Sequence, residues 1–254
     1  MVSRFRDAAR SPLVLLLLDG AHLLDEALSS GLRVEEVAVH HGALEGVVLA
    51  LTRRAEEQGA RVVTVSPPVL AALSPVRQPS GIVSLARRPE VSLEITLSAA
   101  NGLILMLADV QDPGNVGAAI RAAEACGVTG VLCGTRTADA FGWKALRGSM
   151  GSAFRVPVVT QTPLDAAVTE AQARGITVYA AVPRGGRPLP ACDLRVPAAV
   201  LLGGEGPGLP QDLMELADER LSIPMRPPVE SLNVATAAAL VAYEAMRQRE
   251  GMGF

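Results

Sequence analysis

Lysine is almost missing from this chain: Lys144 is the only one, and every other basic side chain is arginine. Guanidinium groups suit bidentate contacts with phosphate and carboxylate better than ammonium does, although a GC-rich coding sequence gives the same bias. Cysteine is scarce too. Cys126, Cys133 and Cys192 form an odd set without metal-ligand spacing, and no signal peptide precedes them, so a reducing cytoplasm is the expected setting. Long apolar runs are lacking: Leu13 to Leu18 falls far short of the roughly 20 residues a membrane helix needs. Histidine is confined to His22, His40 and His41. Adjacent His40 and His41 have no evident third ligand, so no metal is expected. Positive charge is not in excess either. The net charge of -3 and pI near 5.7 speak against indiscriminate coating of nucleic acid and leave room only for a local basic patch.

What is present describes a folded α/β protein. Of 254 residues 49% are hydrophobic and 19% charged, with 24 glycines and 18 prolines spread along the chain, enough for two domains with real cores. The first alternates strand and helix. Leu13 to Leu18 reads as a strand, Asp19-Gly20 as a turn and Ala21 to Leu32 as a helix. Val34 to Val39 is a strand, Leu44 to Gln58 a helix, Val62 to Val65 a strand, Pro68 to Leu73 helical, and Ser80-Gly81-Ile82-Val83 returns to strand. Charge and proline at Arg87-Arg88-Pro89-Glu90 place a linker from there to about Asn101, dividing a domain over 1–92 from one over 100–254.

The second domain opens on Leu103 to Leu107, a continuous apolar run suited to a strand buried on both faces of a parallel sheet. Further strands are expected at Gly130 to Cys133, Val156 to Val159, Thr177 to Val182, Ala198 to Leu202 and Leu221 to Ile223. Helices are expected at Val116 to Ala125, Pro163 to Arg174, Gln211 to Leu216 and Val234 to Arg249. In such sheets ligands gather beyond the carboxyl ends of the strands, and three loops there are unusual. The first, Asp109 to Gly117, leads into a helix that Asn115 can cap and Gly127 can end. Val116, Ile120 and Ala123 would face the sheet while Gly117, Arg121 and Glu124 share another face. Arg121 could then meet an anionic substrate or simply pair with Glu124 on the surface. The second, Leu202-Gly203-Gly204-Glu205-Gly206-Pro207-Gly208-Leu209, combines glycines that let a backbone approach a ligand with one carboxylate. It has neither a phosphate-loop lysine nor a dinucleotide fingerprint, and a plain tight turn is the other reading. The third runs from Ile223-Pro224-Met225 to Ser231-Leu232-Asn233-Val234, where Asn233 or Ser231 can cap the last helix.

Taken in order over the last 150 residues or so, these strings resemble motifs 1, 2 and 3 of the SpoU/TrmH branch of the SPOUT superfamily of RNA 2'-O-ribose methyltransferases. They are Asp112 to Gly117 with Arg121, then Gly203 to Gly206 with Gly208, then Ile223-Pro224-Met225 with Ser231 to Val234. Lys144 to Gly151 also looks like the family's segment between the first two motifs. More weakly, the first domain resembles the family's substrate-binding domain, related in fold to kink-turn-binding ribosomal proteins. Asp19 stands where glutamate is commoner, and Arg4, Arg6 and Arg10 would suit an RNA-facing arm.

The resemblance implies an α/β SPOUT domain with a deep trefoil knot, S-adenosylmethionine as cofactor, RNA as partner and a homodimer with its active site near the subunit interface. It implies a cofactor pocket lined by Leu202, Gly203, Gly206, Ile223, Met225 and Leu232, and catalytic roles for Arg121, Asn115, Glu205, Ser231 and Asn233. With all histidines in the first domain, Arg121 is the implied catalytic residue. A guanidinium, with a pKa above about 12, serves more readily by holding phosphate or ribose and stabilising alkoxide charge than as a base. Domain architecture favours ribosomal RNA as substrate. A tRNA methyltransferase and a catalytically silent ribosome-assembly factor of the same fold are the alternatives.

Overall fold

The computed structural model describes residues 1–77, 79–99, 101–206 and 208–251. In chain order its elements are α1 (Val2–Arg10), β1 (Leu15–Asp19), α2 (Ala21–Ser29), β2 (Val34–His40), α3 (Gly46–Glu57), β3 (Arg61–Val65), α4 (Pro67–Leu73) and β4 (Ile82–Arg87). There follow α5 (Leu93–Leu97), β5 (Leu103–Ala108), α6 (Pro113–Ala125), β6 (Gly130–Gly134), α7 (Trp143–Ser149), β7 (Val158–Thr162), α8 (Leu164–Ala173) and β8 (Thr177–Ala181). The last are β9 (Arg187–Pro188), β10 (Ala198–Gly203), α9 (Gln211–Leu216), β11 (Glu219–Ser222) and α10 (Val234–Arg249). These form two units, Met1–Glu90 with Phe141–Arg155, and Val91–Ala140 with Val156–Phe254.

In the first unit four strands lie in the order β1-β4-β2-β3, with β4 antiparallel to both neighbours and β2 parallel to β3. Successive side chains of a strand face opposite ways. Leu17, Ala38, Val83 and Leu85 therefore meet Phe5, Ala8, Leu70 and Leu73 beneath α1 and α4. The segment 141–155 belongs here too. Trp143 packs on that core, Arg88 lies over the Phe141 ring, and Arg155 pairs with Glu26.

The N-terminal arginines do not form an open arm. Phe5 and Ala8, one helical turn apart, are buried, so the segment gains by folding as a helix against the sheet. Arg4 is thereby committed to Glu35 at 2.7 Å and to buried Glu36 at 2.9 Å. Arg6 donates to the Ala72 carbonyl. Similarly, the expected linker contains a helix, α5, whose Ser92 hydroxyl caps the Ile95 amide.

All six strand pairings of the second unit are parallel, in the order β7-β6-β5-β10-β8-β11-β9. β5 and β6 are buried throughout, which explains their unbroken apolar sequence. Helices α5, α8 and α9 cover one face. On the other, α6 packs against α10, with Val116, Ala119, Ile120 and Ala123 of the one and Val234, Ala238, Val241, Ala242 and Ala245 of the other buried. The alanines let the helices come close, while each fully buried Ile or Val side chain contributes about 1.5–3 kcal/mol. No helix among the described residues is long and apolar enough to cross a membrane.

Several strand boundaries differ from the expected ones. β1 starts at Leu15, after exposed Leu13 and Val14, and β4 runs from Ile82 to Arg87 rather than over 80–83. Two further differences trace to proline. β7 starts at Val158 rather than Val156 because Pro157 cannot donate to the ladder. β11 runs over Glu219–Ser222 and stops before Ile223, since Pro224 lacks an amide donor and the short partner β9 ends opposite Ser222. Ile223 and Met225 are thus left in a loop, free to face a ligand.

Candidate active site

Strand order reverses between β5 and β10. After β5 the chain builds outward through β6 and β7, then returns to place β8, β10 and β11 on the other side. A crevice is expected at such a point, beyond the carboxyl ends of the strands. A cavity of about 570 Å3 lies beside that point rather than at it, between the loops that follow β8, β10 and β11 and the start of α10. Leu202, Gly203, Gly206, Ile223, Met225 and Leu232 all stand on its wall, with Glu205, Ser231 and Asn233 beside them. Pro207 lies outside the described residues.

Asn115 and Arg121 are not on that wall, and Asn115 does not cap α6. Asp112 does: its Oδ1 accepts the Asn115 amide at 2.9 Å, and Pro113 takes the first helical position, where no amide donor is needed. A carboxylate at a helix N-terminus also gains from the macrodipole, so Asp112 competes better than an amide three residues on. This releases the Asn115 side chain. Its Nδ2 donates to Glu205 Oε1, while its Oδ1 accepts from Asn233 Nδ2 at 3.1 Å. Asn233 caps α10, its Oδ1 accepting from the amides of Ala235 and Thr236 at 2.9 and 3.3 Å. The result is one directed chain of donors from the α10 N-terminus through Asn233 and Asn115 to the Glu205 carboxylate. It ties all three loops together.

Arg121 lies two turns into α6, exposed, and makes no hydrogen bond or ion pair among the described residues. The surface pair with Glu124 is therefore not formed, and the guanidinium has all its donors available. Ser231 is exposed at the cavity rim.

Close backbone contact shapes the β10 loop. A Cβ on Gly203 would stand 2.3 Å from the Gly208 carbonyl carbon and the Leu209 nitrogen, and one on Gly204 only 2.0 Å from the Asp109 carbonyl oxygen. No side chain fits at either position. Gly204 donates to the Ala108 carbonyl at 2.8 Å and bridges to Gly208, so the second loop folds back on itself while resting on the first. Sequence reading missed Ala181 at the end of β8, Val182 and Pro183 just after it, and Met214 and Ala237, on the wall. The apolar strand ending before Pro183 was legible. Its place between β10 and β11 was not, because strand order is a long-range property.

The cavity fits a nucleoside-type cofactor. Its volume is in the range of about 300–1,000 Å3 usual for small-molecule sites. The aliphatic side chains of Leu202, Ile223, Met225 and Leu232 offer a flat ring an apolar slot, and the glycines leave main-chain donors and acceptors bare.

Comparison with known proteins agrees. The SpoU rRNA Methylase family profile matches residues 102–243, and the profile for RNA 2'-O ribose methyltransferase substrate binding matches residues 17–92. The 23S rRNA (guanosine(2553)-2'-O)-methyltransferase RlmP of Bacillus subtilis is 35% identical over 227 residues, 89% of this chain and 86% of its own. Among solved structures, the SpoU methyltransferase AviRb of Streptomyces viridochromogenes with AdoMet superposes with a TM-score of 0.88 at 26% identity, covering 98% of this chain and 97% of its own. An AdoMet-bound rRNA methyltransferase of Sinorhizobium meliloti does so with a TM-score of 0.84 at 25% identity, covering 97% and 94%. With the fold, the cavity and the three loops in agreement, the chain belongs to the SpoU rRNA methylase family, enzymes that methylate RNA ribose 2'-oxygens using S-adenosylmethionine.

Proposed function

We propose that this enzyme methylates a ribose of 23S ribosomal RNA, with residues 1–92 engaging the RNA and residues 100–254 performing the transfer. The observation that carries the site reading is the donor chain Asn233, Asn115, Glu205 at the rim of the cavity. S-adenosylmethionine supplies an electrophilic methyl group whose leaving group is a neutral thioether, so no general acid is needed. Leu202, Gly203, Gly206, Ile223, Met225 and Leu232 would hold it. Arg121 would contact the target phosphate or ribose and stabilise negative charge on the 2'-oxygen as the hydroxyl proton passes to solvent water, since a guanidinium offers five donors and no acceptor of its own. Asn115 and Asn233 would hold Glu205 in place, and Ser231 would orient the substrate.

The division of labour is supported by charge. The unit holding residues 1–90 and 141–155 carries 13 basic and 10 acidic residues, a net +3, while the other carries 10 and 16, a net -6. Phosphate attraction is thus concentrated on the first. The likeness to the Bacillus subtilis enzyme over 89% of the chain favours 23S rRNA. Kinship of the first unit to kink-turn-binding proteins is part of the same reading. A trefoil-knotted path is in keeping with the close backbone crossings at Gly203 and Gly204. Exposed Leu240 and Tyr243 on α10, the helix packed against the Arg121 helix, would suit a homodimer interface near the active site. Three free cysteines accord with the cytoplasm.

The test is transfer of labelled methyl from S-adenosylmethionine to 23S rRNA, 16S rRNA and tRNA, with mapping of 2'-O-methyl positions in total RNA with and without the gene. Wild type should label 23S rRNA. Arg121→Ala should lose about 10²-fold or more in kcat while binding S-adenosylmethionine as wild type does by calorimetry. Near-wild-type turnover by Arg121→Ala would refute its role. Binding of cofactor without turnover on any RNA would identify a silent assembly factor, and selective labelling of tRNA would reassign the substrate.

A further inference from the structure

Asp109 is a non-glycine residue in the left-handed region, with φ of +58°, a conformation aspartate tolerates better than most. The turn brings its carbonyl oxygen under Gly204, leaving no room for a Cβ there. Its carboxylate is gripped by Arg136, whose Nε donates to Oδ1 at 3.0 Å and Nη2 to Oδ2 at 2.5 Å. Such fork-to-fork pairing fixes orientation as well as distance. The turn carrying Arg136 is itself fastened on both sides of Asp109. Thr137 Oγ1 donates to the Leu107 carbonyl at 2.8 Å, and the Ala138 amide donates to the Val110 carbonyl at 2.9 Å. Thr137 is buried, so this turn is a rigid base.

We propose that Asp109 and Arg136 are a positioning pair for the cofactor site: Arg136 holds Asp109 in its left-handed turn, the Asp109 carbonyl supports Gly204, and Gly204 sets the wall that carries Glu205. The inference rests on the assignment of the cavity to S-adenosylmethionine. Neither residue touches the cavity. Their effect passes through the main chain of the second loop to the cofactor wall, while the Glu205 carboxylate keeps its separate hold from Asn115. Arg136 is largely exposed, so its loss should not unfold the protein.

The experiment compares wild type with Arg136→Ala, Arg136→Lys and Asp109→Gly, measuring S-adenosylmethionine binding by calorimetry, steady-state KM and kcat, and thermal melting without cofactor. Arg136→Ala should raise the Kd and KM for S-adenosylmethionine about three- to fivefold, the size expected for losing one partly exposed ion pair, with kcat within about twofold and melting little changed. Arg136→Lys keeps the charge but not the fork and should fall between. Asp109→Gly keeps the left-handed turn without the carboxylate and should match Arg136→Ala, and the double variant should be no worse than either alone. Unchanged Kd and KM in the single variants would overturn the proposal, as would a fall in kcat and melting temperature without a rise in KM. If wild type itself fails to bind S-adenosylmethionine, the assignment of the cavity fails instead.

Discussion

Asn115 shows how far single residues can be read. The string Asp112 to Gly117 marked it as a candidate but did not reveal the hydrogen bonds it makes. Two residues in that string can cap the helix, and the choice depends on which side chain has a better use elsewhere. Asp112 takes the cap, and Asn115 spends its amide on Glu205 and Asn233, partners 90 and 118 residues away. Asp19 is a second case, read only as a mild departure from a family pattern. Burial raises its pKa, against the opposing pull of the Ser74 hydroxyl bond and the Arg147 charge. A carboxyl raised in the folded state favours folding below its unfolded value of 3.8, and that advantage is lost as pH rises through the folded value. At neutral pH the charged form is therefore a cost. Asp19→Asn, which retains an acceptor for Ser74, should have a higher urea midpoint than wild type at pH 7. The gap should narrow as pH falls toward 3.8, and a gap that widens on acidification would contradict the assignment.

Elements were legible where one local cause dominates. The unbroken apolar runs of β5 and β10 follow from burial on both faces, and the Val116, Ile120, Ala123 stripe of α6 faces the core as its spacing required. Helix α1 was missed because three arginines outweighed Phe5 and Ala8 in the reading, although those two buried positions decide the fold of the segment. Ends were misjudged where proline interrupts a ladder, as at Pro157 and Pro224. For α6 the capping assignment makes a direct prediction. Asp112→Ala should lower stability by about 1 kcal/mol, the usual loss for an N-cap, measured as a shifted urea midpoint with unchanged slope. If Asn115 moved to fill the vacated cap it would also release Glu205, and turnover would fall further than stability does.

At the scale of the whole molecule, a ligand that binds only the folded state stabilises it by mass action. S-adenosylmethionine at 100 times its Kd should add about 2.7 kcal/mol, seen in calorimetry as a melting temperature that rises steadily with cofactor concentration. The transition so shifted should be that of the unit holding the cavity, residues 91–140 with 156–254. A melting temperature indifferent to cofactor would contradict the site. The amino-acid sequence by itself determined the α/β class, the apolar strands and the chemical membership of the three loops, because each depends on residues near one another along the chain. Only the tertiary structure decided the strand order that gathers the loops after β8, β10 and β11 around one cavity, the inclusion of 141–155 with the first unit and the donor chain ending on Glu205. These join residues far apart in sequence, and the steric and hydrogen-bonding fit that selects them exists only once both partners are folded.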